Sequence, residues 1–163
     1  MVEPILFIVF GAIAVGGAIM VVTRRHPMAS ALYLILTLFA VAALFALRAA
    51  HFIAVIQVIV YAGAVVVLFI FVIMLINVPE SRLPVERATG LRFLGVVIAG
   101  LLIVESALIA RRYAAPAGPA VDAGSVQAVG RALFTDYLFA FEVTSVLLLA
   151  AVIGAIALAK RKL

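Results

Sequence analysis

Phe52-Ile-Ala-Val-Ile-Gln57-Val-Ile-Val-Tyr61-Ala-Gly63-Ala-Val-Val-Val-Leu-Phe69-Ile-Phe71-Val-Ile-Met74-Leu-Ile76 runs without one charged side chain. At about 1.5 Å per residue, a helix of this length crosses roughly 30 Å of hydrocarbon. In lipid, only helices and closed barrels satisfy every backbone polar group. The stretch lacks the apolar–polar alternation of a barrel strand, so it reads as a transmembrane helix.

Four more runs of the same kind surround it, at 4–22, 28–47, 91–110 and 137–159. The chain of 163 residues is 69% hydrophobic and 12% charged. Soluble domains run near half apolar and a quarter charged, and a fold this short could not hide so much apolar surface from water. The expectation is a single all-α integral membrane domain over 1–163, with five transmembrane helices at 4–22, 28–47, 52–76, 91–110 and 137–159. The first run lacks the basic leading segment of a signal peptide, its only early charge being Glu3, and it reads as a retained helix.

Basic residues set the orientation. With the N-terminus outside, the inner side holds Arg24, Arg25, Arg82, Arg87, Arg92, Lys160, Arg161 and Lys162, and the outer side only Arg48, Arg111, Arg112 and Arg131. The C-terminus is therefore expected in the cytoplasm. The net charge of +5 is spread along connections and the C-terminus, the pattern of topology signals rather than of a nucleic-acid patch. The inner connection from Asn77, with Pro79 and Pro84, reads as irregular. The outer connection carries Pro116, Gly118 and Pro119, then a segment from Ser125 in which Val126, Val129 and Leu133 share a helical face. That segment reads equally well as a helix on the membrane surface or as a plain loop.

Chemistry has few places to reside. With no cysteine, disulfides, thiolate metal sites and Cys-ligated clusters are excluded. His26 and His51 stand at helix ends, not at ligand spacing. No metal site is expected in this chain. Charge within a membrane is costly and marks function, yet the first three helices have none in their interiors. Glu105 in the fourth helix and Glu142 in the fifth are the candidates. Each reads either as part of a proton path or partner contact, or as an interfacial carboxylate near Arg111, Arg112 or Arg131. Neither is placed for a relay across the whole membrane.

Small residues four apart, Ala12 and Gly16, Gly95 and Ala99, and Ala151, Ala155 and Ala159, suit close helix packing, although alanine-rich helices show such pairs by chance. In the third helix, Gln57 and Tyr61 share a face and form a polar stripe that needs protein or internal water. Gly63, near mid-membrane, is followed after Ala64 by the β-branched Val65-Val-Val67, a combination that suits a π-bulge.

Gln57-Val-Ile-Val-Tyr-Ala-Gly-Ala, continuing through Val67-Leu-Phe and Phe71-Val-Ile-Met-Leu, resembles the third helix of subunit J of the proton-pumping NADH–quinone oxidoreductase, counterpart of mitochondrial NADH dehydrogenase subunit six. Arg25-His26-Pro27 with Ser30-Ala31-Leu32 resembles the start of that family's second helix, although His26 stands where asparagine is commoner. Leu133-Phe-Thr135-Asp-Tyr137, Phe141-Glu142 and Ser145-Val-Leu-Leu-Leu-Ala-Ala-Val-Ile-Gly154-Ala resemble its fifth. The fourth helix and the outer loop carry no matching motif.

The resemblance implies a membrane subunit without redox cofactor or active site, in the bacterial plasma (inner) membrane. It implies neighbours among subunits A, H and K and the antiporter-like subunits, with FMN, iron–sulfur clusters and quinone held by other subunits. It also implies a π-bulge or gate at Tyr61, Ala62, Gly63 and Val65, switchable to regular helix with rotation of the inner half. An equivalent subunit of a multisubunit cation/proton antiporter or a membrane-bound hydrogenase is the alternative. A stand-alone transporter is disfavoured by the lack of buried charge and of an internal repeat.

Overall fold

The computed structural model describes residues 2–76, 89–112 and 124–160, which contain helices and no strand. The helices are α1 (Val2–Thr23), α2 (Pro27–Leu47), α3 (His51–Ile76), α4 (Thr89–Arg112), α5 (Val126–Phe134) and α6 (Leu138–Ala159). All but α5 contain a stretch long and apolar enough to cross a membrane. The connections through Pro79 and Pro84, and through Pro116, Gly118 and Pro119, lie outside the described residues. So do Arg82, Arg87, Arg161 and Lys162 of the charge pattern.

The corner between α1 and α2 follows from local chemistry. His26 is extended (φ −82°, ψ 116°) and Pro27 opens α2, where a missing N–H costs nothing and a fixed φ favours the first turn. Ser30 Oγ donates to the Val21 carbonyl across the corner at 2.5 Å. The Arg24 guanidinium lies 5.4 Å from the centre of the Tyr33 ring, with one N–H directed to its hydroxyl at 3.4 Å. A cation over an aromatic face is a favourable electrostatic contact. Farther along, a β-carbon on Gly17 would fall 2.5 Å from Thr37 Oγ1. Glycine is what lets α1 and α2 approach this closely.

The turn from α2 to α3 closes by a Schellman pattern. Ala50 N–H donates to the Phe45 carbonyl and Ala49 N–H to the Ala46 carbonyl. Ala49 takes φ 58°, the left-handed conformation that glycine usually supplies there.

The core is small and made of small residues. Ala31, Ala40, Ala42, Ala54, Ala62 and Val66 are buried, and α2 packs along α1 and along every part of α3. Lipid gives no hydrophobic reason for helices to associate, so close backbone packing over small side chains does that work. By contrast, the α4 side chains from Phe93 to Arg112 are all exposed, as is almost all of α6. Lipid or other proteins must cover these apolar surfaces.

The segment read as either a surface helix or a plain loop is a helix. Ser125 caps α5 by accepting from Ala128 N–H at 3.2 Å, which satisfies one of the free donors of its first turn. Phe134 at the end of α5 meets Phe141 of α6 edge to face, with ring centres 5.2 Å apart.

Candidate functional site

Helix α3 is not uniform. His51–Ile56 and Val66–Ile76 are α-helical, but Gln57–Val65 between them is π-helical. The junction is visible in one bond: Val66 N–H reaches the carbonyl of Tyr61, five residues back. Such wide turns are rare and usually mark functional places. The segment straddles the midpoint of His51–Ile76, where water is scarcest.

Burial explains what the wide turn accomplishes. Ala54, Val58, Ala62, Val66 and Ile70 are the buried or half-buried positions of one stripe, spaced by four throughout. In a regular α-helix each step of four drifts by about 40°, so these five would spread over about 160°. A π-turn adds one residue without adding a turn, which removes about 100° of that drift. The stripe thus stays facing α2 on both sides of the segment. Small side chains at Ala54 and Ala62 allow the close approach.

Gln57, Tyr61, Ala62, Gly63 and Val65, singled out by sequence, lie within the π-helical segment, whereas Val66 and Val67 of the β-branched run begin the α-helix that follows. Gln57 opens the segment and is half-buried; Tyr61 is exposed; Ala62 is buried; Gly63 is half-buried and Val65 exposed. The segment also takes in Val58, Ile59, Val60 and Ala64, which composition did not distinguish. Of these, only Val58 falls on the stripe of Ala54, Ala62 and Val66 spaced by four. A β-carbon on Gly63 would stand 3.3 Å from the Val58 carbonyl oxygen, tighter than ordinary contact.

Glu105 and Glu142 are both exposed, on α4 and α6. The Glu142 carbonyl accepts from Ser145 Oγ at 2.7 Å, a bond that belongs to the helix backbone and not to the carboxylate. Neither acid is brought to the polar face of α3 by a packed helix pair. Among the described residues, no three His, Asp or Glu side chains gather as a metal would require.

Comparison with known proteins identifies the family. The family model described as NADH-ubiquinone/plastoquinone oxidoreductase chain 6 matches residues 17–158. NADH-quinone oxidoreductase subunit J of Rhodobacter capsulatus is 37% identical over 95% of this chain and 80% of its own length. NAD(P)H-quinone oxidoreductase subunit 6 of the Paulinella chromatophora organellar chromatophore is 40% identical over 99% of this chain and 80% of its own. NADH-quinone oxidoreductase subunit J of Escherichia coli K12 is 33% identical over 91% and 82%. The match spans α2, α3 and α4 whole, α6 up to Leu158, and the last residues of α1. The chain belongs to the NADH-ubiquinone/plastoquinone oxidoreductase chain 6 family, as a multi-pass membrane subunit of the NADH–quinone oxidoreductase complex.

Proposed function

We propose that this chain is a non-catalytic coupling subunit, in which α3 converts between the π-helical form and a regular α-helix as quinone is reduced elsewhere in the complex. The π-helical segment Gln57–Val65, with α-helix on both sides, is the observation that carries the reading. Conversion to α-helix would turn one half of α3 against the other by about 100°. The inner half, Val66–Ile76, is the half that turns. Gln57 and Tyr61, the polar groups of the segment, would then meet or leave a hydrated path through neighbouring subunits. A gate needs a bistable element without charge of its own, whereas a relay would need acids.

In this reading the N-terminus faces outward and the C-terminus the cytoplasm, in a bacterial inner membrane. Subunits A, H and K and the antiporter-like subunits are the neighbours. FMN, iron–sulfur clusters and quinone are bound by other subunits, and the complex translocates protons.

Gly63→Val tests the proposal. Its branched side chain would crowd the Val58 carbonyl of the π-turn and stiffen α3. NADH-driven quinone reduction and proton pumping should fall several-fold in the purified complex while subunit masses show intact assembly. Full rate and full pumping would refute the gate.

A further inference from the structure

The opening of α1 and the close of α2 meet at one end of the molecule, where they form a groove of about 420 Å³. Glu3, Pro4, Phe7 and Ile8 line it from α1, and Leu47 at the end of α2 with Arg48 just past it. The two charged residues lie at the ends of their membrane spans, Val2–Thr23 and Pro27–Leu47, which puts them at headgroup depth. Phe7 and Ile8 follow Glu3 by four and five residues, so they lie about 6–7.5 Å deeper, at the level where acyl chains begin. Both are exposed within the chain. The groove therefore has one anionic and one cationic side chain at its mouth and an apolar wall beneath.

We propose that this groove is a binding site for a zwitterionic phospholipid with a primary amine, of the phosphatidylethanolamine type. A guanidinium donates in a planar fork that fits phosphate oxygens. The Arg48 guanidinium takes the lipid phosphate. The Glu3 carboxylate accepts from the ammonium, which has three N–H donors. An acyl chain lies along Pro4, Phe7 and Ile8. A choline headgroup has no N–H to give Glu3, and an anionic headgroup sets its own charge against that carboxylate. Charge order and depth thus select the lipid class. The assignment does not depend on what α3 does.

The test uses the whole purified complex, reconstituted in phosphatidylcholine bilayers with a trace of phosphatidylethanolamine that carries a photoreactive acyl chain. After irradiation, the labelled peptides are mapped by mass. The expected result is label on the segment from Pro4 to Ile8 or beside Leu47. Unlabelled phosphatidylethanolamine should compete it away several-fold better than further phosphatidylcholine does. Glu3→Gln should abolish that preference, Arg48→Ala should lower labelling several-fold, and Arg48→Lys should restore part of it. No label on these segments, as when a neighbouring subunit covers the groove, overturns the proposal. So does equal competition by the two lipids in the unaltered complex.

Discussion

Gly124 lies against Ala50 so closely that a β-carbon at position 124 would overlap both the Cα and the Cβ of Ala50. This contact joins the residue just before the Ser125 cap of α5 to the turn between α2 and α3. It places the capped start of α5 at the same end of the molecule as the opening of α3. Gly124 has no positive φ, so space, not backbone freedom, requires glycine here. Gly124→Val should push α5 off the turn. Limited proteolysis of the assembled complex should then cut near this connection faster than in the unaltered protein.

Ala49 offers the opposite kind of test. It holds a left-handed conformation at a helix C-terminus, where an L side chain costs roughly 1 kcal/mol relative to glycine. Ala49→Gly should stabilise the turn by up to about 1 kcal/mol, because glycine's greater freedom in the unfolded chain offsets part of the gain. Thermal dissociation of the complex should shift slightly upward, with quinone reduction unchanged.

Between α1 and α2 the tight spot is Gly17 against Thr37. Gly17→Val would overpack that contact at a cost of about 1–3 kcal/mol. The amount of this subunit retained in purified complex should fall, and Thr37→Ala in the same chain should recover part of it by freeing the space that Oγ1 fills. No change in retention would mean that this approach contributes little to assembly.

Much of the fold was legible because a membrane removes choices. Long uncharged runs must be helices, and the five runs delivered five helices. Helix ends were less legible. α4 extends through Arg111 and Arg112, whose charge ended the hydropathic run, although cations suit a helix C-terminus. The helicity of α5 was undecided in the sequence because Val126, Val129 and Leu133 make a short stripe that a loop can also carry. The Ser125 cap decides it.

The site was legible in part. Gly63 and the β-branched residues after it pointed to the middle of α3, but not to the extent of Gln57–Val65. That extent follows from keeping Ala54, Ala62 and Val66 against α2, a tertiary demand that no local propensity records. The tight contacts of Gly17 and Gly124 were equally hidden, since their partners are distant in sequence.

The two exposed membrane acids give a further prediction. Glu142→Gln and Glu105→Gln should each leave NADH-driven quinone reduction and proton pumping nearly unchanged, measured together in proteoliposomes. Loss of pumping with quinone reduction retained would assign that acid to a proton path.

The central claim is that α3 turns on itself. The chain has no native cysteine, so nitroxide labels can be placed cleanly in this subunit at Leu32→Cys on α2 and Phe71→Cys beyond the π-helical segment, both exposed. The distance between the labels would be measured by double electron–electron resonance in the purified complex, at rest and trapped during turnover with NADH and quinone. The account predicts two distances whose proportions change with turnover, and a single unchanging one when Gly63→Val is added. One distance in the unaltered complex, the same at rest and in turnover, would contradict it.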